Sequence, residues 1–155
     1  MHTINADLHC HSVVSDGTLT PEALANRAKN NGVQIWSLTD HDELGGQKQA
    51  RRAAVDLGIQ YVSGVEISVT WCDQTIHIVG LDVDENNQAL IDGLFKTRNG
   101  RSERAKEISD QLEKVGIPNA YEGALHFVGN PELVSRTHFA RYSVEAGICK
   151  DTNEV

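Results

Sequence analysis

Two histidines one residue apart, His9 and His11, stand near the beginning of this 155-residue sequence, and Asp16 follows them in the turn Ser15-Asp16-Gly17. On a strand, residues two apart share a face. Two imidazoles about 7 Å apart along a strand can lean onto one metal ion, each nitrogen about 2 Å from it. Gly17 frees the backbone, so Asp16 can turn its carboxylate back toward the same ions. Residues of the same chemistry recur downstream: the triplet Asp40-His41-Asp42, Glu66 after Gly64-Val65, and His77 between Ile76 and Ile78. Each alone has an ordinary structural explanation. His41 suits a capped loop, Glu66 a strand end, and His77 a satisfied core position. Together they make a ligand set of imidazole and carboxylate, which suits Mn²⁺, Zn²⁺ or Fe²⁺. The sequence has no thiolate pair of the kind a structural zinc site uses. Several ligands of mixed type point to a multi-metal cluster, which can generate hydroxide at neutral pH and clamp a phosphoryl group during in-line displacement.

The elements that must position these residues alternate. A strand carries His9 and His11. Thr20-Pro21-Glu22 starts a helix with a cap, a proline at the first turn and an acid at the positive end. Leu24, Ala25 and Ala28 give it an apolar stripe, and Asn31-Gly32 stops it. Val33–Thr39 reads as a strand ending in Asp40-His41-Asp42. A second helix runs from about Gly46 to Leu57, with Ala50, Ala53, Ala54 and Leu57 buried, and Gly58 stops it. Residues 59–70 read as one strand that ends near Glu66, with a hairpin beyond, and 76–82 as another. Such repetition with short links predicts parallel pairing, with ligands gathered at the carboxyl ends of strands. From about Asn87 the pattern turns helical. Leu90, Ile91, Leu94, Ala105, Ile108 and Leu112 recur at helical spacing up to Gly116-Ile117-Pro118. Within that run Arg98, Arg101 and Arg104 recur every three residues, either as a solvated face paired with Glu103 and Glu107 or as a phosphate clamp. Ser135-Arg136-Thr137-His138-Phe139-Ala140-Arg141 is a second basic stretch near a helix start. His138 lies outside the metal motifs and suits a structural or substrate-facing role.

Composition bounds the class. A chain of this length can bury a sizeable core. The formal net charge of −8 argues against a broad nucleic-acid surface, which needs basic residues, but not against a local anion pocket. Three cysteines (Cys10, Cys72, Cys149), odd in number and widely spaced, read as reduced thiols in a cytoplasmic protein. No apolar run approaches membrane-spanning length, and no signal peptide is visible.

Asp7-Leu8-His9-Cys10-His11-Ser12, Ser15-Asp16-Gly17, Thr39-Asp40-His41-Asp42, Gly64-Val65-Glu66-Ile67-Ser68 and His77-Ile78-Val79-Gly80-Leu81 resemble the first motifs of the PHP (polymerase and histidinol phosphatase) metallo-phosphoesterases. The wording around Leu19-Thr20-Pro21-Glu22-Ala23-Leu24 is similar to the bacterial TrpH/YciV-type branch. That branch includes nucleoside 3′,5′-bisphosphate phosphatases and a 5′-to-3′ exoribonuclease. The resemblance implies an α/β fold that is part of a distorted (β/α)7 TIM-like barrel with an α-helical insertion. Residues 1–86 would belong to the barrel and residues 87–155 to a mainly helical segment over its mouth. It implies that His9, His11 and Glu66 hold one metal, that Asp16 and His41 hold a second, and that Glu66 bridges to a third with His77. That makes up to three divalent ions, with Mn²⁺ first and Zn²⁺ or Fe²⁺ as alternatives. Asp40 and Asp42 would orient His41 or hold the loop. The match favours Arg101, Arg104 and Arg136 over Arg98 and Arg141 as phosphate ligands.

Two later motifs of the family, an Ala-His-Pro type and a late Asp-x-His, have no counterpart in the sequence. The resemblance therefore implies the N-terminal part of a longer protein, or a site completed by a second copy. The implied activity is hydrolysis of the 3′-phosphate of nucleoside 3′,5′-bisphosphates. The alternatives are 5′-to-3′ exoribonuclease action on RNA 5′ ends, a non-catalytic metal-binding module if these residues are the whole protein, and amidohydrolase-like cleavage of a C–N bond. The partner is a small phosphorylated nucleotide or an RNA 5′ end, no membrane is involved, and self-association is open.

Overall fold

The computed structural model describes residues 4–72, 74–129 and 131–152. His2 and Thr3, which open the run before the first motif, and the closing Asn153-Glu154-Val155 lie outside the described residues. The chain forms two compact units, one ending at Thr97 and the other beginning at Arg98.

In the first unit, β1 (Ala6–Asp7), β2 (Ile35–Trp36) and β3 (Gln60–Tyr61) form a parallel sheet in that order, in register Ala6 with Ile35 and Ile35 with Gln60. Two helices connect them, α1 (Pro21–Asn30) and α2 (Gln47–Asp56). The Thr20 hydroxyl caps α1 by accepting from the Ala23 N–H at 3.2 Å, with Pro21 at the first position. Gly32 leaves α1 in the left-handed region, at φ 71°, where a side chain is strained. Alanines on both helices (Ala25, Ala28, Ala50, Ala54) let them lie close over the sheet. There they bury Val33, Trp36, Leu38 and Ile59. Burying Trp36 and Leu38 removes apolar surface from water at about 25 cal/mol per Å², the main source of stability in such a layer.

Two expectations change. First, the regular strands are short, and the chain runs on beyond them tied by other bonds: the Ser37 N–H to the Asp7 carbonyl (2.9 Å) and the Thr39 N–H to the Cys10 carbonyl (2.9 Å). His9 and His11 therefore follow β1 rather than lying within it. Second, the strand expected over 59–70 breaks at Val62-Ser63. The Val62 N–H still reaches the Trp36 carbonyl, but the Ser63 carbonyl accepts from Asp82 instead. The chain thus changes partner from β2 to the strand that follows. That strand is antiparallel: β4 (Gly64–Trp71) and β5 (Gln74–Leu81) form a hairpin in register Glu66 with Val79 and Ser68 with His77. The link from Trp71 to Gln74 is far too short for the crossover that parallel pairing needs.

The rest of the described chain is helical: α3 (Gln88–Lys114), α4 (Ala120–Leu125), a 3₁₀ turn (Pro131–Leu133) and α5 (Arg136–Glu145). The second unit packs Ala105, Ile117, Ala120, Ala124, Val134 and Phe139 together. A side chain at Gly123 would run into the Tyr142 ring, and Tyr142 donates to the Pro118 carbonyl at 2.8 Å, so α4 and α5 meet closely. No helix among the described residues is long and apolar enough to cross a membrane.

Candidate metal centre

The site is assembled from three stretches of the first unit. After β1 the chain carries His9 and His11, and then a tight loop carries Asp16. That loop closes through Ser15 and Gly17 N–H groups donating to the Ser12 carbonyl at 3.1 and 2.9 Å. A Cβ on Gly17 would overlap the His11 carbonyl, so the sharp return needs glycine. After β2 comes Asp40-His41-Asp42. This stretch lies beside β4 as a parallel bridge between His41 and Glu66: Glu66 N–H donates to the Asp40 carbonyl (3.2 Å), and Asp42 N–H to the Glu66 carbonyl (2.9 Å). On the hairpin, Glu66 and Ser68 share a face by the period of two, and His77 stands opposite Ser68. The ladder itself thus brings Glu66 and His77 together.

The buried Glu66 carboxylate is the centre of the cluster. Its Oε2 lies 2.7 Å from His9 Nε2, 2.8 Å from His11 Nε2 and 3.6 Å from His41 Nδ1, while Oε1 lies 3.6 Å from His77 Nδ1. Asp16 faces two imidazoles: Oδ1 is 3.1 Å from His11 Nδ1, and Oδ2 is 3.9 Å from His41 Nε2. Three groups of three ligand atoms result: His9, His11 and Glu66; His11, Asp16 and His41; and His41, Glu66 and His77. All six metal-type residues singled out by the sequence belong to these groups.

His9 Nε2 and His11 Nε2 are also 3.0 Å from each other. If both donate a proton to Glu66, the two nitrogens meet without a hydrogen bond between them. One cation in place of the protons would engage all three atoms, so the residues fit a metal. Burial alone would raise the Glu66 pKa, but the His9 hydrogen bond and the imidazoles of His41 and His11 bring it below the usual value. Burial alone would lower the His11 pKa, and the Asp16 hydrogen bond with the surrounding carboxylates raises it.

Asp40 and Asp42 hold the loop. Asp40, fully buried, accepts from the Ser12 N–H (2.7 Å), the Ser12 hydroxyl (2.7 Å) and the Ser15 hydroxyl (2.6 Å). Burial raises its pKa despite those bonds. Asp42, at φ 51°, accepts from the Ser68 N–H at 2.7 Å. Cys10, between the two histidines, turns inward. Its thiol accepts from Trp36 Nε1 at 3.2 Å, burial pushes its pKa up to about 12, and it belongs to none of the three ligand groups.

With this geometry in view, comparison with known proteins is direct. The PHP domain family matches residues 7–115. The chain belongs to the PHP domain family. It is 46% identical over 151 residues to a 3′,5′-nucleoside bisphosphate phosphatase of Chromobacterium violaceum, covering 97% of the chain and 53% of that protein. It is 41% identical over 143 residues to the Escherichia coli 5′-3′ exoribonuclease Rnm, covering 91% and 48%. Among solved structures, an amidohydrolase from Chromobacterium violaceum with bound sulfate and no metal superposes with a TM-score of 0.93. Its identity is 46%, over 96% of this chain and 52% of the other. A proposed metal-dependent phosphoesterase from Bifidobacterium adolescentis gives a TM-score of 0.89 at 28% identity, over 98% and 54%. The chain spans about half the length of the curated relatives it matches.

Arg101 and Arg104 are on α3 and Arg136 opens α5, all in the second unit. Arg98 Nε lies 3.8 Å from Glu132 Oε2. His138 is buried, and its Nδ1 accepts from the Ser135 N–H at 3.0 Å at the start of α5. One residue near the site was missed by sequence reasoning. Gln47 is 1% exposed and bonds to Leu38, Tyr61 and Gly64. The signal was there: positions 47, 50 and 54 form one helical stripe, and glutamine on an otherwise alanine stripe marks a buried polar group with partners.

Proposed function

We propose that this PHP chain is the site-bearing part of a metal-dependent phosphoesterase that hydrolyses the 3′-phosphate of nucleoside 3′,5′-bisphosphates. The observation that carries this reading is the Glu66 carboxylate, with two imidazole nitrogens at 2.7 and 2.8 Å and two more at 3.6 Å. Similarity to a named bisphosphate phosphatase supports the substrate.

His9, His11 and Glu66 would hold one divalent ion, Asp16 and His41 a second, and Glu66 and His77 a third. The His9–His11–Glu66 triangle has edges of 2.7, 2.8 and 3.0 Å, close enough for one divalent ion to take the place of the protons, and its imidazole and carboxylate donors suit Mn²⁺, Fe²⁺ or Zn²⁺. Such ions supply Lewis acidity toward phosphoryl oxygens and lower the pKa of water. The chain's own residues do the rest. Asp16 Oδ1 accepts from His11 Nδ1, which leaves the Nε2 lone pair aimed at the Glu66 side. Glu66 spans two groups with its two oxygens. Arg101, Arg104 and Arg136 would neutralise phosphate charge, since guanidinium matches phosphate in fork geometry.

We further propose that β1–β5 are the first strands of a distorted seven-stranded β/α barrel, with residues 1–86 in the barrel and 87–155 as its helical insertion. The parallel order β1-β2-β3 and the helical remainder support this. Three free cysteines support work in the reducing cytoplasm. A second reading, 5′-to-3′ exoribonuclease action, is favoured by the similarity to the Escherichia coli enzyme of that name.

The test is inorganic phosphate release from adenosine 3′,5′-bisphosphate with added Mn²⁺, beside nucleotide release from 5′-phosphorylated RNA, with His9→Ala as control. Release from the bisphosphate that vanishes in the variant supports the first reading. Release from RNA alone supports the second. Release from neither, by the full-length protein, overturns both.

A further inference from the structure

Gln47, the first residue of α2, makes its hydrogen bonds to Leu38, Tyr61 and Gly64 rather than to the six ligand side chains, and it is among the most buried polar residues described. Its carboxamide nitrogen donates to the carbonyls of Leu38 (2.9 Å) and Gly64 (2.7 Å). Its oxygen accepts from the Tyr61 hydroxyl (2.7 Å) and the Gly64 N–H (3.3 Å). Two donors and two acceptor positions are all used.

The place of these bonds matters. The ligands stand on two pieces of the first unit. One piece is the chain beyond β1 and β2. Thr39 is bonded to Cys10, and Asp40 is bonded to Ser12 and Ser15, so His9, His11, Asp16 and His41 move together. The other piece is the hairpin, with Glu66 and His77. Three bonds around residues 40–42 and 66–68 join the pieces at one end of the seam: Glu66 to Asp40, Asp42 to Glu66, and Ser68 to Asp42. At the other end, where Leu38 faces Gly64, the Gln47 carboxamide bonds to both main chains and stands in for a peptide rung. Close approach is built in there. A Cβ on Gly64 would overlap the Ser37 hydroxyl and crowd Thr39, and one on Gly46 would come within 2.8 Å of Leu38 Cδ2.

We propose that Gln47 is a positioning residue that sets the distance from Glu66 to the histidines across this seam. The proposal rests on the metal reading above. Of the three ligand groups, His11–Asp16–His41 lies wholly on one piece. The two groups that contain Glu66 straddle the seam. Gln47 therefore governs the two Glu66-dependent ions and leaves the third alone.

The test titrates Mn²⁺ into the full-length protein and its Gln47→Leu, Gln47→Glu and Tyr61→Phe forms. Calorimetry counts ions, and electron paramagnetic resonance distinguishes coupled from isolated Mn²⁺. Gln47→Leu strands two carbonyls and an N–H. Gln47→Glu keeps the volume but turns a carboxylate oxygen toward two carbonyl oxygens. In both, the two Glu66-dependent ions weaken by about 10- to 100-fold, as for lost supports of metal ligands. The ion at Asp16 and His41 keeps its affinity within about threefold. Activity lost at low Mn²⁺ returns as Mn²⁺ is raised, a recovery that general loss of structure would not give. Tyr61→Phe, which leaves the bonds to Leu38 and Gly64 intact, holds all ions within about threefold. Equal weakening of every ion, or of none, overturns the proposal. So does failure of both Gln47 variants to fold, which would make the residue a plain structural brace. Absence of Mn²⁺ binding by the unmodified protein overturns the metal reading itself, a result distinct from normal binding by all variants.

Discussion

On one side of the site, His11, Asp16 and His41 rest on chain with almost no regular secondary structure, held by buried polar groups such as Asp40, Ser12 and Ser15. On the other side, His77 rests on a regular strand whose residues are nearly all exposed, with Ile76 at 41% and Ile78 at 52%. The same kind of ligand is thus carried on two kinds of support. Irregular chain must satisfy its backbone and turn polar groups one by one, and it does so with side chains. The hairpin satisfies its backbone with its own ladder and needs few side chains to do so. The two supports meet at Glu66.

That meeting point gives the largest expected effect. Glu66 serves two ligand groups and Asp16 one. Glu66→Ala should remove two Mn²⁺ ions, each by more than the roughly 100-fold that loss of a mere supporting contact can cost. Asp16→Ala should remove one. Calorimetric ion counts check this. Equal stoichiometry in the two variants would break the comparison, since neither support would then depend on the other through Glu66.

The cysteines sharpen it next. Cys10 lies within the buried flank, and Cys72 is exposed at the hairpin turn with φ 48°. Burial raises the Cys10 thiol from 9.0 to about 12. In metal-free protein at pH 8, Cys10 should be alkylated about 1000-fold more slowly than in the unfolded chain, because only the thiolate attacks. Cys72 should be labelled first. The folded state holds the Cys10 proton more tightly than the unfolded one. Stability should therefore fall as pH rises from about 9 through about 12, and a Cys10→Ala variant should lose this thiol's share of the fall while keeping that of Tyr61, whose hydroxyl burial also holds protonated. Mass spectrometry after brief iodoacetamide treatment reads the labelling. Equal labelling of both thiols would mean that the flank opens readily.

Asp40→Asn comes third. Asparagine can keep an oxygen toward the Ser12 N–H and the Ser15 hydroxyl only by turning its NH₂ toward the Ser12 hydroxyl, which must then accept where it donated. Charge-assisted bonds become neutral ones, at a cost of about 1–3 kcal/mol in unfolding free energy. The ion at Asp16 should weaken more than the one at His77, because the loop that Asp40 holds is Asp16's own.

The ligand types were legible because chemistry needs them at short spacings. His9, His11, Asp16, His41, Glu66 and His77 could be picked out before any fold was known. What brings them together was less legible. The period of two puts His9 and His11 on one face of a strand, whereas the convergence comes from bonds between residues 10 and 39 and between 12 and 40. Those bonds join stretches about thirty residues apart, and local pattern carries no record of them. The same holds for Gln47, whose partners at 38, 61 and 64 are near it only in the folded chain. The partner switch at Ser63 was hidden too, since residues 59–70 alternate like one strand until Arg51, Glu85 and Asp82 claim that residue. The helices were the most legible elements. Thr20-Pro21 and Gly32 bracket α1, and Gly116 follows α3 at φ 92°, much as their local chemistry dictates.

The smallest expected effect falls on the outer face of the hairpin. Ile67, Val69 and Trp71 on β4 and Ile76 and Ile78 on β5 line one face, opposite the Glu66 and His77 face. Trp71 is 69% exposed and Ile78 52%. An exposed isoleucine gains little from burial, and threonine keeps the β-branched shape that a strand favours. Ile78→Thr in this chain should therefore change unfolding free energy by less than about 0.5 kcal/mol. In a longer form of the protein, a strand or helix laid on this face would bury Ile78. The lost methyl and the added hydroxyl would then cost about 1–2 kcal/mol. Denaturant melts of both forms separate the cases. A small effect in both would mean that the face stays open to solvent and would count against the barrel proposed above. A large effect already in this chain would mean that the hairpin's apolar face is covered, and the contrast between a buried flank and an exposed hairpin would fail.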